Sequence, residues 1–315
     1  MRAAIHHRFG PPDVLSIEEL PPPRPRPHEV LVRVEAAALN PKDVLIRKGR
    51  YRVLSGARFP MGSGFDLAGV VESVGSRVHD RRVGDRVFGM LDGFRGRTCA
   101  ELVAIRADHC APAPEGLSFV EAASLPLAAS TALQALRDVA RVGPGDRVLL
   151  HGASGGVGVH AIQIAKALGA HVTTTSGAHN LERCASLGAD VTLTYDDPAT
   201  PFAAGARYDA IVDVYGNRRF AWARRGLTAR GTYVTTVPSR ALFLDVARTA
   251  FTSPKARLVM VRSRARDLET IASMVRAGAL RPVIDRVLPL ESIAEAHAHL
   301  ETRHARGKVV LTIHR

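Results

Sequence analysis

The stretch from Arg147 to Leu168 constrains this chain most. An apolar run, RVLLHGA (147–153), leads into Ser154-Gly155-Gly156-Val157-Gly158 and then straight into the apolar-periodic VGVHAIQIAKAL (157–168). A strand, a glycine-rich turn and a helix in that order form a dinucleotide fingerprint in the context that gives it meaning. Gly155 and Gly156 let backbone approach a pyrophosphate, and Gly158 permits close helix–strand packing. The N–H groups at the helix start, with the helix dipole, hold negative charge, and Val157 sits among them. Ala153 stands where the motif's first glycine would be.

Around this turn, strands are expected at 171–175, 191–194, 208–214, 232–237 and 257–262. Helices fall between them, the clearest at 157–168 and 180–187. Alternation of this length predicts a doubly wound parallel sheet. The chain upstream has another texture. A strand is followed by the proline-rich connector Pro21 to Pro27, which fits neither a helix nor a central strand. Glu29 to Ala38 then alternates apolar and charged residues, and valine- and glycine-rich pieces follow at 69–75, 82–89 and 99–105. These predict a compact, barrel-like all-β body. Residues 118–140 read as helix interrupted near Pro126. After 264 come a helix (266–277), a strand (283–288), a helix (291–302) and a strand from Lys308 to Ile313, a tail expected to return to the first domain.

Composition narrows the function classes. The 315 residues carry a net charge of +13, yet only five are Lys and 38 are Arg, spread along the chain with no basic run of five. With aromatics at 5%, nucleic-acid binding is disfavoured, whereas a ligand with several phosphates is compatible. No run approaches the roughly 18 apolar residues of a membrane helix, and the N-terminus lacks a secretory apolar stretch. Cys99, Cys110 and Cys184 are too scattered for a disulfide framework or a zinc lobe. They read as ordinary thiols, and a cytoplasmic protein is expected. His151 and His160 read as core or surface residues, not ligands.

The second strand of the sheet bears on the cofactor. An NAD enzyme usually ends it with Asp or Glu to hold the ribose hydroxyls. Here it reads Thr175-Ser176-Gly177-Ala178-His179-Asn180, with no acid before Glu182. The hydroxyl of Ser176, the imidazole of His179 and the amide of Asn180 suit a 2′-phosphate, so NADPH is expected over NADH. Asn180 also suits a helix N-cap.

The whole chain, Met1 to Ile313, resembles the medium-chain dehydrogenase/reductase superfamily, and more closely its zinc-independent, quinone oxidoreductase-like branch. The motifs are LNPKD (39–43), RKGRY (47–51), FDLAGVVESVG (65–75), VGDRVFG (83–89), LPLAASTAL (125–133), GASGGVG (152–158), ASLGAD (185–190) and ARGKVVL (305–311). The resemblance implies an α/β protein with a GroES-like β-barrel catalytic domain (1–120 and 264–315), a Rossmann domain (121–263) and an active site in the cleft between them. The zinc-dependent branch has Cys where this chain has Asn40, and Gly-His-Glu where it has Gly64-Phe65-Asp66. Those departures remove the soft and imidazole ligands, so no metal is expected. Asp66 is expected to satisfy local backbone or an Arg.

The resemblance implies the remaining roles. Asn40 would line the nicotinamide and substrate cleft, and Tyr51 would act near the substrate carbonyl. Thr131 would approach the cofactor, Tyr195 the adenosine phosphate, and Lys308 would reach the cofactor from the far domain. Ser154 belongs to the phosphate turn. Val214 to Gly216 and Thr235 to Val237 end the fourth and fifth strands, where such a sheet presents ligands. The reading is an NADPH-dependent reductase passing hydride to a quinone, an enone or an enoyl thioester such as an enoyl-CoA. A non-catalytic NADPH-binding sensor or structural protein, and a zinc-type alcohol dehydrogenase, are the alternatives. Relatives pair through the Rossmann edge strand, here 257–262, which implies a homodimer.

Overall fold

The computed structural model describes residues 1–196 and 198–314. The chain divides into two compact units: Met1–Ser130 with Arg262–Ala277 and Pro282–Arg315, and Thr131–Val261 with Gly278–Arg281.

The first unit holds β1 (Arg2–His6), β2 (Ser16–Glu19), β3 (Glu29–Leu39), β4 (Met61–Gly62), β5 (Asp66–Val74), β6 (Arg86–Met90), β7 (Leu102–Arg106) and β8 (Cys110–Pro112). Its spine is β3. The alternating first half, Glu29 to Glu35, buries one face, and Ala36 to Leu39 are buried on both. Both edges of β3 are paired: β5 runs antiparallel along one, while β7 flanks Glu29–Arg33 and the last strand of the chain flanks Ala36–Leu39 on the other. β1, β2 and β4 form a separate three-stranded sheet. Two short helices, α1 (Pro41–Arg47) and α2 (Arg52–Ser55), follow β3. α3 (Phe119–Ala123), capped by Ser118 and Glu121, packs on β3 and β5. That packing keeps residues beyond 120 with the first unit. The break expected near Pro126 falls before α4 (Pro126–Leu133).

The second unit is a six-stranded parallel sheet of β9 (Arg147–His151), β10 (His171–Ser176), β11 (Val191–Thr194), β12 (Tyr208–Asp213), β13 (Leu227–Thr235) and β14 (Lys255–Leu258), in the order 11-10-9-12-13-14. After its first residue β9 is buried on both faces, as a central parallel strand must be. Strand order reverses between β9 and β12, so ligands are expected beyond the carboxyl ends of those two strands. The helices here are α5 (Gly158–Ala167), α6 (Leu181–Ser186), α7 (Phe220–Arg224) and α8 (Arg240–Arg248). β13 starts earlier than expected, with an irregularity between its pairings at Leu227 and Thr232. The edge strand expected at 257–262 lies instead at 255–258. Its register is fixed by β13, whose last pair is Thr235 with Leu258. Val259 adds one more bond to the Thr235 carbonyl, after which the chain departs.

The tail supplies α9 (Ala265–Arg276), β15 (Ile284–Pro289), α10 (Ile293–Glu301) and β16 (Lys308–Thr312). β16 lies parallel to β15 and antiparallel to β3. Among the described residues no helix is long and apolar enough to cross a membrane.

Candidate functional site

In the first unit the polar residues gather where β3 ends. Asn40 leaves β3 in extended conformation and caps α1, its N–H donating to Asp43 Oδ2 at 2.9 Å. Its side chain is turned elsewhere. Asn40 Nδ2 donates to Asp66 Oδ2 at 3.0 Å, and Asn40 Oδ1 accepts from Lys308 Nζ at 2.5 Å. Lys308 also donates to Asp66 Oδ2 at 3.0 Å. Asp66 Oδ1 accepts the Leu127 N–H at 2.6 Å. Asp66 therefore satisfies neither of the expected partners: its backbone donor lies 61 residues away and is not local, and its cation is a lysine 242 residues away and not an Arg. Asp66 is fully buried and Lys308 is 3% exposed. A buried pair of this kind holds only because further hydrogen bonds fill its remaining valences. The ammonium expected to reach the cofactor is thus tied to Asn40 and Asp66.

Asp43, buried beside this triad, accepts the Gly64 N–H at 2.7 Å through Oδ1. Burial pushes its carboxyl up to about 6, against the pull of the two backbone donors. Cys99 is buried nearby, and desolvation with the two carboxylates raises its thiol well above the ordinary range. Tyr51 is half-buried, with its ring centroid 5.1 Å from that of Phe94, and burial raises its phenol. The Lys42 ammonium lies 3.9 Å from the Phe65 ring centroid and 5.0 Å from that of Phe94. Lys42 and Asp43, which adjoin this group, carry no role in the motif-based expectations. The spacing of Asn40 and Asp43 on one helical turn was the available signal.

In the second unit the glycine turn leaves β9 and enters α5. A Cβ at Gly158 would lie 2.5 Å from the Ala153 carbonyl carbon and oxygen, so only glycine lets helix and turn meet. Gly155 differs: a Cβ there would touch nothing closer than 3.7 Å. The protein's own packing does not require that glycine, and a methyl would protrude into space a ligand could use. Among the described residues, no acceptor meets the backbone N–H of Gly156 or Val157. The residues fit a pyrophosphate.

Beside the turn, Asn180 Nδ2 donates to Ser154 Oγ at 3.1 Å and contacts His179 Nε2 at 3.2 Å. Asn180 Oδ1 is buried without a partner. A Cβ on Gly177 would lie 3.0 Å from the His179 ring and 3.2 Å from the Tyr195 hydroxyl, so both side chains converge there. Ser154, His179, Asn180 and Tyr195 are brought together. Ser176 is not: it is fully buried and its hydroxyl donates to the Gly177 carbonyl at 3.3 Å. Beyond β12 and β13, Gly216 and Val237 line a small concavity of about 30 Å³ with Arg218 and Ser239. Val214 donates its N–H to the His151 carbonyl. Thr131 is 6% exposed in α4. His151 is buried, which lowers the basicity of its imidazole, and it is held by Thr175, Asn217 and Arg218.

Comparison with known proteins accords with both units. Residues 26–128 match the alcohol dehydrogenase GroES-like domain, and residues 187–311 match the zinc-binding dehydrogenase family. A chloroplast envelope quinone oxidoreductase homolog of Arabidopsis thaliana is 35% identical over 93% of this chain and 92% of its own length. The quinone oxidoreductase of Coxiella burnetii superposes with a TM-score of 0.91 at 34% identity, covering 100% of this chain and 99% of that one. An NAD-dependent alcohol dehydrogenase superposes at 0.89 and 36% identity, both chains covered fully. The Escherichia coli quinone oxidoreductase, complexed with NADPH, superposes at 0.84 and 27% identity over 99% of this chain and all of that one. The second unit is accordingly a Rossmann domain and the first is GroES-like, and the chain belongs to the medium-chain dehydrogenase/reductase superfamily of oxidoreductases, with quinone oxidoreductase-like relatives.

Proposed function

We propose that this chain is a zinc-independent, NADPH-dependent reductase of conjugated acceptors: quinones, enones or enoyl thioesters. The observation that carries the cofactor choice is the group beside the glycine turn. Hydroxyl, imidazole and amide side chains of Ser154, His179, Asn180 and Tyr195 converge there, and residues 175–181 contain no carboxylate to repel a 2′-phosphate. The buried, unpaired Asn180 Oδ1 supplies an acceptor for a ribose hydroxyl.

The bound cofactor would supply a hydride. The chain's own tasks are binding, orientation and support of charge. The Gly155–Gly158 turn holds the pyrophosphate, with Thr131, Val214, Gly216 and Val237 as further cofactor contacts. Asn40, fixed by Asp66 and Lys308, is a rigid polar wall for nicotinamide or substrate. Tyr51 is the donor to the substrate carbonyl. Zinc does not fit here, because the Asp66 carboxylate already bears the Lys308 ammonium and Asn40 offers no soft ligand.

The experiment is a panel of quinones, enals and enoyl-CoAs followed by loss of reduced-nicotinamide absorbance, with NADH beside NADPH. Preference for NADPH and turnover of one class are expected. Tight NADPH binding without turnover of any acceptor refutes the reductase and favours the sensor. Raising salt should raise the KM of an acyl-CoA strongly and that of a neutral quinone little, because only the polyanion is screened.

The protein is also proposed to be cytoplasmic, its three buried thiols unbonded. It is proposed to be a homodimer through the β14 edge, where Phe251 and Met260 are exposed. A monomer at dilute concentration in size-exclusion would refute the dimer.

A further inference from the structure

Lys42 is an expensive cation. It is the second residue of α1, where the positive end of the helix dipole disfavours an ammonium. It is partly buried, and desolvation lowers its basicity. The carboxylates of Asp43, Asp92 and Asp66, in that order of influence, oppose this loss at a distance. An ammonium has three donors and no acceptor. Among the described residues, no hydrogen-bond acceptor meets Lys42 Nζ; its near neighbours are the faces of Phe65 and Phe94. Phe94 also packs against Tyr51. Phe65 immediately precedes Asp66, which binds Asn40. A cation with unspent donors and a phenol thus share one aromatic wall beside the Asn40 triad.

We propose that Lys42 is the electrostatic partner of the acceptor's carbonyl oxygen, so that this site selects acceptors whose oxygen becomes negative during reduction. The inference rests on the reductase reading above. In that reaction a hydride from the reduced nicotinamide forms a C–H bond at the electron-poor carbon. The π pair of the conjugated system shifts, and the charge collects on the oxygen. A proton from solvent completes the two-electron reduction. An ammonium held in a low-dielectric wall stabilises that charge more than water would. The rings keep Lys42 in place while leaving its protons for the ligand.

The test uses the full-length protein with 4-nitrophenol, whose ionised form is a coloured oxyanion. In the wild type, the bound phenol should ionise about 1–3 pH units lower than in water, as a nearby opposite charge requires. Lys42→Met keeps the apolar stem and should abolish that shift. It should also lower kcat/KM for an enone about 10²-fold, and Lys42→Arg should restore part of both. Should Lys42→Met only lower the melting temperature, leaving titration and kcat/KM intact, Lys42 is a clamp for the two rings and the inference fails. A wild type that turns over acceptors but neither binds nor acidifies the phenol also overturns it. A wild type that acidifies the phenol yet reduces no acceptor overturns the reductase reading instead.

Discussion

Asp66 and Lys308 are buried against each other, with Asn40 and the Leu127 N–H filling what remains of the carboxylate's hydrogen-bonding capacity. Lys308→Met should therefore cost about 3–5 kcal/mol in denaturant unfolding, since it strands a buried carboxylate. Adding Asp66→Asn should recover part of the loss. The imidazoles of His6 and His297 make a second prediction. Burial, with the nearby Arg47 charge, pulls His6 down to about 4 and His297 to about 3. Both are neutral when folded, while the unfolded chain takes up protons below about 6.5. Their contribution is complete above that pH and is lost as pH falls toward 4 and below, by a few kcal/mol in order of magnitude. Asp43, raised to about 6, works in the opposite direction between about 4 and 6. Subtracting the stability–pH curve of a His6→Gln, His297→Gln variant from that of wild type should isolate the histidine slope; coincident curves would refute it. Asn40 and Lys308 each stand out in the sequence through their motifs. Their partnership does not, because 268 residues separate them and no local pattern encodes a distant ammonium.

At the level of elements, the turn from β9 to α5 was readable because it is local. Strand, glycines and helix are contiguous, and the Gly158 clearance of 2.5 Å explains the residue type. Gly158→Ala should cost about 1–3 kcal/mol by overpacking and weaken NADPH binding, read together by thermal melting and nicotinamide fluorescence. Strand ends were less readable. The apolar 257–262 run suggested a strand, but β14 ends at Leu258 because its partner β13 ends at Thr235. Pairing sets that limit, and apolar content alone does not. Ser176 shows the same effect at a site: its type suits a phosphate, yet the end of β10 seals it and turns its hydroxyl to Gly177.

For the whole molecule, the chain's last strand is a structural member of its first unit. β16 lies between β15 and β3, and Val309 to Leu311 are fully buried. A chain stopped after Gly307 should lose the cooperative unfolding of the first unit, while the Rossmann sheet, which uses none of those residues, keeps its transition; calorimetry reads both. Sequence alone determined what depends on short-range order: the β body, the parallel sheet, the glycine turn and the acid-free end of β10. Those follow from periodicity, φ-permissive residues and the charge of neighbours along the chain. Tertiary structure alone decided which charges meet. It joined Lys308 to Asp66, laid Lys42 on Phe65 and Phe94, and buried Asp43, since such contacts arise only when distant strands close on one another.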